Sequence, residues 1–153
     1  MSTKIIYFVF MLLIGCASNL GEVWATRMIE DFYRLSTSEQ LKAFKNYSVE
    51  EQYDLFLFGN QAVHPPAIYL VRLFSEKGAE IVPFLKSKLI NARDGATIRD
   101  ITSILSELSY LKLCNVQGDA GLLNVLEQKA NSMQGIWKDT TIKMVAEIRS
   151  AVH

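Results

Sequence analysis

Hydrophobic residues recur at steps of three and four along most of the chain, which is the period of amphipathic helices and not of strands. The first such stripe comprises Leu20, Val23, Trp24, Met28, Phe32 and Leu35. A stripe in the second half comprises Ile98, Ile101, Leu105 and Leu108, and the next one comprises Leu122, Leu123, Leu126 and Ala130. The pattern predicts an all-α protein of about eight short helices.

Polar residues and turn residues mark the ends of these helices. Ser36-Thr37-Ser38 can cap a short helix, and Ser48 followed by Glu51 is a capping box for a helix that runs to about Asn60. Pro66 suits the first position of a helix that is expected to end at Gly78, with another from about Ala79 to Ala92. Later breaks are expected at Asp94-Gly95, Gln117-Gly118-Asp119 and Gln134-Gly135. No linker-like segment divides the chain, so we expect a single helical domain over residues 20–153.

Aromatic residues are concentrated in the middle of the chain. The set comprises Phe56, Phe58, Tyr69, Phe74 and Phe84. The helix that begins near Ser48 is apolar on all sides towards its end, so we expect it to be central. Core packing is the first interpretation of the aromatic set, and a groove lined by some of its members is the alternative.

The first 15 residues have the organisation of an export signal. Lys4 precedes an uninterrupted apolar run from Ile5 to Ile14. This run is too short to cross a bilayer, which takes about 20 helical residues, but it matches the apolar core of a secretory signal peptide. We therefore expect residues 1–15 to be removed.

The residues that follow this run resemble a lipobox. Leu13-Ile14-Gly15-Cys16 is similar to the motif of bacterial lipoproteins, in which Leu, a small or aliphatic residue and Gly or Ala precede a Cys. The resemblance implies cleavage between Gly15 and Cys16 and a diacylglyceryl group on the Cys16 thiol. It also implies attachment to the cell envelope, and Ala17, where Asp would signal retention, implies the outer membrane facing the periplasm in a Gram-negative host.

A short tether is expected between the lipid and the folded part. Residues 16–19 precede the first stripe, and at about 3.3–3.6 Å per residue they span at most about 15 Å. The domain would therefore lie close to the bilayer.

A weak repeat in the second half suggests stacked helix pairs. A shift of 41 residues places the apolar residues Ile81, Val82, Phe84 and Leu85 on apolar residues of segment 119–126. Helix pairs with a period near 40 residues resemble HEAT repeats over about residues 65–153. The resemblance implies a stack of α-hairpins, and an irregular helical bundle is the alternative.

Few residues suggest chemistry. The 16 basic and 16 acidic side chains balance, which argues against a nucleic-acid partner. His64 precedes two prolines, where a role at the entry of a helix is expected, and Cys114 is expected to be a buried thiol. The pairs Glu30-Asp31 and Glu50-Glu51 suit a solvated face and a cap, since adjacent residues point to different sides of a helix. No metal-ligand spacing or phosphate-binding loop is found, so we expect no catalytic residue, no metal and no cofactor.

These observations favour a membrane-anchored binding or structural module over an enzyme. The expected partners are the membrane, through the lipid, and an unidentified envelope protein. Two alternatives stay open: a periplasmic immunity protein that neutralises a toxin, and a cell-envelope hydrolase whose catalytic residues are dispersed.

Overall fold

A computed structural model describes residues 24–151. The expected signal peptide, the lipobox with Gly15 and Cys16, the tether 16–19 and the terminal His153 lie outside the described residues. Within residues 24–151 no helix combines the length and the apolar character that a membrane span requires.

Helices account for the regular structure of the described residues, as the apolar periodicity predicts. The eight α-helices are α1 (24–33), α2 (Thr37–Phe44), α3 (Val49–Gln61), α4 (Tyr69–Ser75), α5 (Val82–Asn91), α6 (Gly95–Tyr110), α7 (Ala120–Ser132) and α8 (Lys138–Ser150). Two 3-10 turns, Gly78–Ile81 and Val116–Gly118, precede α5 and α7. The all-α fold class is thereby confirmed.

The described residues fall into two compact units, the first ending at Ala43 and the second beginning at Phe44. The single domain expected over residues 20–153 stays a prediction, since compact units can lie within one domain. In the first unit, α1 buries Met28 and Phe32. On its exposed side Arg34 forms ion pairs with Glu30 and Asp31, so these two carboxylates belong to a solvated face, as expected.

In the second unit the helices after α3 alternate between two layers. One layer consists of α4, α6 and α8 side by side, while α5 and α7 pack against each other in the other layer. Helix α6 packs on all of these and also on α3. Its four stripe residues, Ile98, Ile101, Leu105 and Leu108, are buried, as their spacing predicts. Alternating layers are the packing order of an α-hairpin stack, and the relationship to HEAT repeats stays a prediction.

The aromatic set does not share one environment. Phe56 and Phe74 are fully buried, and Phe74 meets Phe44 edge-on at 6.4 Å between ring centroids. Phe84 is half-buried against Tyr53, and Phe58 is partly exposed. Helix α3 therefore contributes one face to the core and is not surrounded on all sides.

Side-chain caps begin three of the helices. Ser48 and Glu51 form the reciprocal capping box predicted for α3, and Asp94 and Asp119 cap α6 and α7. Each cap satisfies a backbone N–H group that has no partner within its helix. Glu51 thus has the capping role expected of it.

Two predicted boundaries are wrong. Helix α4 begins at Tyr69 and not at Pro66, because residues 62–68 form a loop that leads into the helix. The segment from Ala79 begins as a 3-10 turn, and the α-helix starts only at Val82. Pro83 lies in its first turn, where a missing N–H group removes no intrahelical bond.

Loss of the cap on α6 should have a measurable effect. The Asp94 carboxylate accepts a hydrogen bond from the Thr97 backbone N–H at 2.8 Å. Asp94→Ala should lower the free energy of unfolding by about 1 kcal/mol, measured by urea denaturation, because this N–H group then has no protein acceptor. Asp94→Asn is the matched control and should retain most of the stability, since asparagine caps as well as aspartate. Equal losses in the two variants would exclude the cap as the cause.

Candidate binding cleft in the second unit

A cleft of about 230 Å³ opens between α3, α4, α6 and the start of α8. Its walls are apolar and include Ile68, Val71, Trp137 and Met144, and Phe56 reaches it from the core. A groove lined in part by the aromatic set is therefore present beside the core packing, and the two interpretations both apply to Phe56.

The rim of the cleft leaves apolar side chains in contact with solvent. Ile68 immediately precedes α4 and is 67% exposed, while Trp137 immediately precedes α8 and is 36% exposed. Ile136, the neighbour of Trp137 in the chain, is 82% exposed. Because Trp137 lies before the first turn of α8, it is part of this rim.

The floor of the cleft is built around Asp100, which is fully buried. Asn60 donates a hydrogen bond of 2.9 Å to one carboxylate oxygen, and Gln61 donates one of 2.8 Å to the other. Both amides lie in the last turn of α3. These bonds connect α3 to α6 and satisfy a charged group that water cannot reach.

Arg99 completes the floor and supports the wall. Its guanidinium forms an ion pair with the Asp100 carboxylate. Its Cζ atom lies 4.1 Å from the centroid of the Trp137 ring, in the geometry of a cation–π interaction. One arginine thus ties the buried carboxylate to the aromatic rim and orients the Trp137 ring.

Burial raises the pKa of Asp100, since a low-dielectric environment disfavours the charged carboxylate. The hydrogen bonds from Gln61 and Asn60 and the positive charge of Arg99 oppose this effect but do not cancel it. The charged pair therefore holds the site in place without stabilising the fold relative to an apolar core.

The residues singled out in the sequence are not brought together at this cleft. His64 is exposed in the loop before α4, and Glu50 is exposed on α3.

Cys114 is a free thiol after α6. It is partly exposed, whereas the sequence predicts a buried thiol. Burial, together with the negative charge of Asp119, raises its pKa, which favours the unreactive thiol form. Among residues 24–151 no three His, Cys, Asp or Glu side chains are grouped closely enough to hold a metal ion.

The floor of the cleft was missed in the sequence because Arg99-Asp100 looks like an exposed charged pair. One signal was present. Asp100 lies four residues before Ile104 on the same face of α6, and Ile104 is fully buried. A carboxylate in line with an apolar stripe is unusual unless it is paired.

Comparison of the chain with protein-family models, with curated proteins and with solved structures found no match.

Proposed function

We propose that this chain is a lipid-anchored module of the bacterial cell envelope that binds another protein through the cleft beside Trp137. The observation that carries the proposal is the exposed apolar rim formed by Ile68 and Trp137, together with the exposed Ile136 next to Trp137 in the chain. Large apolar side chains clustered around a cleft and bordered by polar residues are typical of protein-interaction sites.

The contacts within the cleft support the proposal, because they hold the binding surface of this chain in place before a partner binds. Trp137 is oriented by Arg99, and Arg99 is oriented by the buried Asp100. A rim held in place in this way loses less conformational entropy on binding than a mobile loop. Aromatic residues in such positions often supply much of the binding energy of an interface.

The membrane part of the proposal rests on the lipobox resemblance at Leu13-Ile14-Gly15-Cys16. An acylated Cys16 would hold the protein at the membrane, where two or more acyl chains provide stable anchoring. The partner would then be an envelope protein, which in a Gram-negative host would be accessible from the periplasmic face of the outer membrane.

Site-specific photo-crosslinking in intact cells tests the binding function. A benzoylphenylalanine in place of Ile68 or Ile136 should give adducts of discrete mass with an envelope protein. Tyr110, which is 78% exposed at the end of α6, is the control position and should give none of these adducts. Trp137→Ala should reduce the yield at both positions, one on the rim and one next to Trp137 in the chain. Identical adducts at position 110, or none at the rim, would contradict the proposal.

The anchor is tested separately by metabolic labelling with palmitate. Cys16→Ser should abolish the label and release the protein from the membrane fraction, whereas Cys114→Ser should leave both unchanged. A Cys16→Ser protein that is still labelled would exclude lipidation at this residue.

A further inference from the structure

The charges in the cleft cancel, which restricts the kind of ligand that it can hold. Arg99 and Asp100 are the two charged residues among those described that line it, and they form a pair with each other. An acidic ligand would be attracted by Arg99 but repelled by the negative charge of the buried Asp100 carboxylate. A basic ligand would meet the guanidinium in the same way. The cleft is therefore complementary to an uncharged ligand.

Arg99 nevertheless retains hydrogen-bonding capacity towards the cleft. A guanidinium carries five N–H donors, and within residues 24–151 Asp100 is the one carboxylate that lies within 4.0 Å of it. The Arg99 side chain is 17% exposed and lines the cleft, so part of it is accessible to a ligand. A neutral acceptor such as a peptide carbonyl can receive a bond from it without an unbalanced charge.

We propose that the occupant of the cleft is an uncharged, apolar segment of the partner polypeptide. One aliphatic or aromatic side chain of this segment lies between Ile68 and Trp137, and a backbone carbonyl oxygen accepts a hydrogen bond from the Arg99 guanidinium. The inference deepens the proposed protein-binding function and depends on it, and it specifies the chemistry by which the partner is recognised.

The test uses a phage-displayed library of random dodecapeptides, selected against the lipidated chain from Cys16 onwards in phosphatidylcholine nanodiscs. The peptides that are enriched should share an apolar residue flanked by uncharged ones. Affinity of a synthetic peptide from this set should change little between 50 and 500 mM NaCl, because exposed charges contribute little to its binding. Enrichment of acidic or basic peptides, or binding that weakens steeply with salt, would overturn the inference.

Variants of the chain locate the binding to the cleft. Ile68→Ser and Trp137→Ala should each weaken the peptide about tenfold, as expected for apolar contacts at the centre of an interface. Arg99→Lys keeps the charge opposite Asp100 but loses the planar donor fork, and should weaken the peptide about three- to tenfold. Ile90→Ser, at an exposed residue of α5, should have no effect. Equal binding by the wild-type chain and the Ile68→Ser chain would overturn the inference.

A bilayer is the competing occupant of an apolar rim on an anchored protein. In a Trp24→Phe chain the fluorescence reports on Trp137, and brominated phosphatidylcholine in the nanodisc quenches a tryptophan that enters the lipid. Unquenched Trp137 supports the inference, and strong quenching in the absence of peptide overturns it.

The crosslinking and the peptide selection together show which proposal fails. If the rim positions crosslink to an envelope protein but the selected peptides are charged, the inference of an uncharged segment is refuted and the protein-binding function stands. If the rim positions give no crosslinks, the protein-binding function itself is refuted.

Discussion

Asp100→Ala is expected to lower the free energy of unfolding by about 3–5 kcal/mol at neutral pH, because it removes one partner of a buried ion pair. The Arg99 side chain, which is 17% exposed, would keep its charge without the carboxylate that neutralises it. The amide donors of Asn60 and Gln61 would lose their acceptor as well. Urea denaturation followed by circular dichroism measures the loss.

Two comparisons separate this mechanism from a general effect of mutation. Asp54→Ala, on an exposed part of α3, makes the same change in another helix and should stay within about 0.5 kcal/mol of the wild type. The double variant Arg99→Met/Asp100→Leu should recover much of the stability lost in Asp100→Ala, because it removes both charges together. A double variant less stable than Asp100→Ala would rule out the unpaired charge as the cause.

The pH dependence of the Asp100 contribution has a definite sign. Its pKa in the folded protein lies above its ordinary value of 3.8, so the folded state binds this proton more tightly than the unfolded state. The part of the stability that is linked to this proton is therefore fully present below that ordinary value, and this part alone is lost as the pH rises through the raised pKa. The stability difference between the wild type and Asp100→Asn should decline over this window, since asparagine does not titrate. A difference that increases with pH would contradict the burial of a carboxylate at this site.

Phe56→Ala should lower the free energy of unfolding by about 3–5 kcal/mol, the usual effect of truncating a large aromatic residue in a close-packed core. Phe56 is fully buried and also borders the cleft from the core side. The substitution would therefore leave a void beneath the binding surface as well as within the core. Thermal and urea denaturation measure the loss of stability.

Phe58→Ala is the matched control for this prediction. Phe58 lies two residues further along α3 and is partly exposed, so its truncation should cost about 1 kcal/mol or less. Phe56→Ala should also reduce the crosslinks at Ile68 and Ile136 in protein that remains folded, whereas Phe58→Ala should not. Equal stability losses in the two variants would show that the two faces of α3 are not distinguished by packing.

The helices could be predicted where short-range physics decides them. The buried stripe of α6 and the capping box at Ser48 depend on residues three or four positions apart, and the structure has them as predicted. The start of α4 could not be predicted from Pro66. A proline at the first helical position is compatible with a helix but does not force one. Residues 62–68 instead form the loop that connects α3 to α4, and the helix starts at Tyr69.

By itself, the sequence determined the helical character of this protein and the helix start that carries its own capping box. It also suggested an anchor at Cys16. The cleft was decided by the tertiary structure alone. Asn60 and Asp100 are 40 residues apart in the chain, and they meet because α3 packs on α6. Charge in a sequence does not reveal burial, since Arg99 and Asp100 would be an ordinary solvated pair if α3 and α8 did not cover them. Packing turned that pair into the neutral floor of an apolar cleft.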